Sequence, residues 1–134
     1  MTTRATGTFE VKLGPLATYE NVEDSSQGRL SIDKQFRGDL EGTSKGEMLT
    51  AMGSVKGSAG YVAIERVTGK LHDRRGSFVL QHSATMTRGT PHLSIAVVPD
   101  SGTDELEGLS GTMMILIEDG NHSYVLEYTM TGSP

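Results

Sequence analysis

Residues 57–87, GSAGYVAIERVTGKLHDRRGSFVLQHSATMT, decide the fold. Two runs rich in Val, Ile, Phe and Thr flank the polar tetrad Asp73-Arg74-Arg75-Gly76, the pattern of a long antiparallel β-hairpin. On the first arm Tyr61, Ala63, Glu65 and Val67 alternate with Val62, Ile64 and Arg66; on the second, Phe78, Leu80, His82, Ala84 and Met86 alternate with Val79 and Gln81. Side chains two apart on a strand share a face, so both arms are largely apolar on both sides. Strands of that kind sit in sheets covered on both sides. With no helical periodicity elsewhere to supply a cover, the expectation is a barrel interior on one side and a subunit or loop on the other. A turn at 73–76 sets Glu65 opposite Ala84 and His82 opposite Val67, which makes Glu65 and His82 diagonal neighbours on one face.

The rest of the chain reads as added strands. Residues 5–13 alternate Phe9, Val11 and Leu13 with Glu10 and Lys12, and Gly14-Pro15 is expected to end that strand. Residues 14–27 read as a long acidic loop, expected to be the most mobile part of the chain. Residues 28–37 place Leu30, Ile32 and Phe36 in phase, with Lys34 the odd polar member of that face. Residues 40–52 carry Glu41, Thr43, Lys45 and Glu47 on one face and Leu40, Gly42, Ser44, Gly46 and Met48 on the other. That is either an edge strand guarded by charge or the wall of a polar lumen. A strand at 92–98 stops at Pro99, and 111–118 with 122–131 form a last hairpin around Asp119-Gly120, a dipeptide suited to a tight turn. Residues 132–134 read as a frayed tail. The sum is eight strands and no helix in a single domain spanning 1–134.

Composition narrows the function. The 134 residues carry 17 acidic and 12 basic side chains for a formal charge of -5, which argues against a protein that binds nucleic acid by neutralising phosphates. No run of about 18 apolar residues offers a membrane span, and the first residues lack the apolar core of a secretory signal. The absence of Cys removes disulfide and thiolate chemistry and fits a reducing, cytoplasmic setting. Residues 42–46, GTSKG, lack the spacing of a phosphate-binding loop, and no Ser sits in a nucleophile elbow.

Three separated runs, 30–49 (LSIDKQFRGDLEGTSKGEML), 57–86 and 106–113 (LEGLSGTM), occur in the order that resembles the bacterial family known as domain of unknown function 3224. The resemblance spans about residues 5–131. It implies an all-β fold, the eight-stranded antiparallel barrel of allene oxide cyclase and dirigent proteins. It brings no activity with it, and no catalytic position of the cyclases finds a matching motif in this chain.

Eight strands close around an interior that is either filled or able to hold one small ligand. The reading that follows is a barrel binding a small apolar or aromatic metabolite in its lumen, without cofactor. The alternatives are a cofactor-independent isomerase or cyclase of the same shape and a structural or assembly module. Glu65 and His82 are the candidate proton-transfer pair, since burial and mutual charge tune such groups toward neutral pKa values. Lys34, Ser44, Glu47, Met48, Tyr61, Ala63 and Met86 are candidate lining residues, with Lys34 and Glu47 a possible ion pair inside the lumen or across the surface. Glycines on inward faces either open space or relieve bending. His72, His82, His92 and His122 are too dispersed to share a metal ion, so no metal is expected. Exposed Val62 and Ile64 point to a homo-oligomer, with a dimer favoured.

Overall fold

The computed structural model describes residues 2–17 and 27–131. Its strands are β1 (Thr3–Leu16), β2 (Gln27–Gly38), β3 (Leu40–Met52), β4 (Ala59–Leu71), β5 (Arg74–Thr87), β6 (Thr90–Val97), β7 (Leu109–Glu118) and β8 (Asn121–Met130). Each pairs antiparallel with its neighbours in chain order, and β8 returns to β1 to close the barrel. Among the described residues a single 3-10 turn, Asp104–Leu106, interrupts the strands. No helix among the described residues is long and apolar enough to cross a membrane.

Two boundaries differ from expectation for identifiable reasons. The central hairpin turns at His72-Asp73, with Leu71 facing Arg74, so Arg74 and Arg75 belong to β5. His72 adopts a left-handed φ of 52°, held there by its N–H to the Asp39 carbonyl at 2.7 Å and its Nδ1 against the Tyr128 hydroxyl at 2.6 Å. The pairing therefore sets Glu65 opposite Leu80 and His82 opposite Ala63. Relative to a turn at 73–76 each residue faces a partner four positions away, an even slip that leaves every side chain on its expected face. At the N-terminus, β1 runs through Gly14-Pro15 to Leu16, because beyond Phe9 it pairs with β2 alone. That is an edge position, where the missing N–H of Pro15 is tolerated. The expected loop 14–27 thus loses both ends to strands, and most of it, with the tail 132–134, lies outside the described residues.

β3 has β2 on one side and β4 on the other, so it is no edge strand. Its charged face is the outer wall. The Asp119-Gly120 turn has the positive φ at both residues (51° and 80°) that a tight hairpin turn demands.

The barrel has two unlike ends. One is filled: Leu40, Leu71, Phe78 and Leu126 are fully buried, and Leu106 of the 3-10 turn joins the same cluster. Burying such side chains stabilises by roughly 1.5–3 kcal/mol each. The Tyr124 hydroxyl accepts the N–H of Leu40 at 2.9 Å and donates toward the carbonyl of Arg37 at 3.0 Å, tying β8 to the β2–β3 turn. At the other end, residues of inward phase stand open: Leu13 is 50 % exposed, Met86 42 %, Leu93 45 % and Ile117 64 %. The wall is low here as well. β6 and β7 share one bridging pair, Ala96 with Thr112, so among the described residues the mouthward half of β6 has no partner on its β7 side.

Candidate functional site

Four consecutive strands each send one polar side chain into the interior beneath that mouth. They are Lys34 from β2, Ser44 from β3, Glu65 from β4 and His82 from β5, and all four are buried. Register explains the convergence: Lys34 faces Ser44, Glu65 faces Gly46 two residues along β3, and His82 faces Ala63 two residues along β4. Gly46 is required there, because a Cβ would lie 2.0 Å from the Ile64 carbonyl oxygen and 2.9 Å from Cβ of Glu65. The glycine sits at a close approach of backbones and opens no cavity.

Glu65 is the hub. Its Oε1 accepts hydrogen bonds from Lys34 Nζ at 3.0 Å and His82 Nε2 at 2.7 Å, and its Oε2 accepts one from Ser44 Oγ at 2.6 Å. Burial alone pushes its carboxyl up, but the His82 hydrogen bond, the Lys34 charge and the Ser44 hydrogen bond together outweigh burial and bring the pKa down to about 2. The expected drift toward neutrality does not occur: Glu65 is an ionised anchor, with both oxygens committed. Lys34 stands 4.9 Å from the Phe9 ring centroid and 5.7 Å from that of Phe36, so aromatic faces help to hold a cation that little water reaches.

Above this group lies Tyr61. Its ring centroid is 6.3 Å from that of His82, and burial followed by the charge of Glu65 pushes its phenol pKa up, which keeps the hydroxyl protonated. Among the described residues every fully buried side-chain nitrogen and oxygen has a hydrogen-bond partner. Among these residues His82 Nδ1 and the Tyr61 hydroxyl make no hydrogen bond, so neither atom is completely enclosed, although the His82 side chain is only 3 % exposed. In the neutral imidazole, Nε2 donating to Glu65 leaves the lone pair on Nδ1. A concavity of about 930 Å³ spans the mouth-end halves of β2–β5 and touches Tyr61, Thr50 and Ala84 of the inner phase with Leu49, Val62 and Ser83 of the outer. Lys34, Glu65 and His82 lie beyond its lining.

The other candidates divide. Ala63 is buried opposite His82, while Met48 and Met86 share the inward phase nearer the rim. Glu47 lies on the outer wall, where it pairs with Arg29 at 2.7 Å, and Lys34 pairs with Glu65 instead. The Lys34–Glu47 pair is thereby corrected, because Ser44 and Glu47 are an odd number of residues apart and point to opposite faces. The sequence reading missed Phe9 and Phe36 as the seat of Lys34, although Phe36 lies two residues away in the same phase. It missed Leu93 and Ile117 at the mouth, whose exposure depends on the splay of β6 from β7. His72 and His122 contact Tyr128 and Phe9 respectively, away from His82. Among the described residues no three His, Asp or Glu side chains are placed to hold a metal ion.

Fold and site together define a closed eight-stranded antiparallel barrel, filled at one end, with a buried Lys-Glu-His-Ser group beneath an apolar mouth. The chain belongs to the family described as "Protein of unknown function (DUF3224)", whose model matches residues 5–128. It is similar to a solved protein of unknown function from that family in Shewanella oneidensis MR-1, with 51% identity, 99% of this chain and 100% of that one covered, and a TM-score of 0.94. No curated protein matches the chain.

Proposed function

We propose that the protein binds a small apolar or aromatic metabolite at the open mouth of the barrel, without cofactor. The observation that carries this reading is the pairing of exposed, inward-phase Leu13, Met86, Leu93 and Ile117 with two polar atoms beneath them that make no hydrogen bond among the described residues, His82 Nδ1 and the Tyr61 hydroxyl. Ligand sites combine apolar walls with a few placed polar groups in this way. A thermal-shift screen of small aromatic and alicyclic compounds tests it: a ligand at 100 times its Kd raises stability by about 2.7 kcal/mol. A panel that leaves both the melting temperature and the methyl resonances of Met48 and Met86 unmoved refutes the reading.

The Glu65–His82 contact favours a second reading of the same seat, a cofactor-independent isomerase or cyclase. In it His82 moves the proton, and Glu65 holds the imidazole in place.

The outer wall supports self-association. Leu49, Val62 and Ile64 on β3 and β4, and Met114 and Leu116 on β7, are each about half exposed, two groups of apolar side chains on separate parts of the outer wall that an association would cover. A homo-oligomer, with a dimer as its smallest closed form, covers them. The absence of Cys supports a cytoplasmic location, and the acidic balance supports neither nucleic acid nor an anionic membrane surface as partner.

A further inference from the structure

We infer that the mouth accepts neutral, enolisable carbonyl compounds and exchanges the proton on the carbon next to the carbonyl, with His82 as the base and Tyr61 as the hydrogen-bond donor to the carbonyl oxygen. The inference rests on the ligand-binding reading above and narrows it to a substrate class.

Lys34, Ser44 and both Glu65 oxygens are engaged with one another, so the group presents no spare carboxylate for a cation, and its ammonium is already paired against an anion. What remains is one donor and one acceptor. Tyr61 keeps its proton and donates it; His82 in its neutral form, with Nε2–H directed at Glu65, offers a lone pair at Nδ1. A carbonyl oxygen accepts from the first, and an adjacent C–H faces the second. A hydrocarbon leaves the Tyr61 hydroxyl unpaired as it is covered, and a carboxylate brings a charge into a mouth whose one lining cation among the described residues, Arg29, is already paired with Glu47.

The step balances without a co-reactant. The C–H bond breaks and its proton passes to His82 Nδ1, while the electron pair becomes the C=C bond of an enolate whose oxygen is stabilised by the Tyr61 O–H. The imidazolium forms next to the ionised Glu65, which stabilises it. Return of a proton to the same carbon gives exchange, and return to a different carbon of an extended enolate gives isomerisation. General base catalysis of this type contributes about 10²–10⁴-fold. Glu65 is a positioning residue in this scheme.

Three probes of similar size test it: toluene, phenylacetone and benzoate, followed by methionine-methyl NMR for binding and by loss of the benzylic CH2 proton signal in D2O for exchange. The expected result is that phenylacetone binds at least about 10-fold more tightly than the other two and exchanges faster than in buffer, consistent with one placed hydrogen bond. Tyr61→Phe then slows exchange at least about 10-fold and His82→Gln returns it to the buffer rate, while both variants still bind toluene. Glu65→Gln lowers the rate at saturating phenylacetone and leaves the half-saturating concentration in place. If His82→Gln does not fold, Tyr61→Phe at the mouth decides alone. Toluene or benzoate binding as tightly as phenylacetone, or exchange at the buffer rate in the wild type, overturns this inference and leaves the binding reading standing. Failure of all three probes to move Met48 or Met86 overturns both.

Discussion

Glu65 and His82 are diagonal neighbours across the β4–β5 pair, facing Leu80 and Ala63 respectively, yet Glu65 Oε1 and His82 Nε2 are 2.7 Å apart. The diagonal is spanned by two long side chains on one interior face, and the Lys34 ammonium closes on the same oxygen. Charge balance in a buried site thus depends on one carboxylate.

Removing that charge alone should be costly. Glu65→Gln leaves Lys34 ionised and buried without an anion, and a loss of about 3–5 kcal/mol is expected. The double variant Lys34→Met/Glu65→Gln keeps an amide oxygen to accept from His82 and an amide N–H to donate to the Ser44 hydroxyl, and removes the stranded cation, so it should be more stable than Glu65→Gln. Urea unfolding of the two variants checks this, and a double variant less stable than the single one contradicts it.

The same carboxylate should set the acid limit of the fold. Its folded-state pKa of about 2 lies below the unfolded value of 4.5, so the folded state takes up this proton less readily than the unfolded chain. The stability it contributes is fully present above about pH 4.5 and disappears as pH falls through about 2, a contribution on the order of 3 kcal/mol. Unfolding free energies measured from pH 6 to pH 2 should fall less steeply in Lys34→Met/Glu65→Gln than in the wild type; parallel curves exclude the assignment.

Two substitutions probe the frame. Gly46→Ala puts a methyl 2.0 Å from the Ile64 carbonyl oxygen, a backbone atom with little freedom to move, and should destabilise by about 2–4 kcal/mol through strain of the β3–β4 pair. Tyr124→Phe removes the acceptor of the buried Leu40 N–H and should cost about 1–3 kcal/mol. Thermal melts within 1 °C of the wild type for either variant count against the corresponding contact.

The outer wall is tested by mass. Light scattering at micromolar concentration should give a multiple of 14.3 kDa, and Val62→Glu, on an exposed position, should return the monomer with its melting cooperativity intact. A wild-type mass of 14.3 kDa refutes the oligomer.

Much of this barrel was legible in the chain. Alternation in 57–87 placed Tyr61, Glu65 and His82 on one face, and the same period placed Lys34 with Phe36 and Ser44 with Met48. The turn position was misjudged by two residues, because Arg74 and Arg75 look like turn residues whereas His72 is held left-handed by Asp39 and Tyr128, residues distant in sequence. Pro15 was read as a strand end on local grounds, but whether a proline ends a strand depends on whether a neighbour needs its N–H.

What the sequence determined by itself is the face on which each side chain lies, because the two-residue period of a strand is a local property of the backbone that survives an even slip in register. Only the tertiary structure decided which charges meet. On paper Lys34 matched Glu47, and the pairing of β2 with β3 and of β3 with β4 sends Glu47 outward to Arg29 while bringing Glu65 over Gly46 to Lys34. Inter-strand register and barrel closure arise from contacts far apart in the chain. They settle which carboxylate is buried, and with it which side chains form the site.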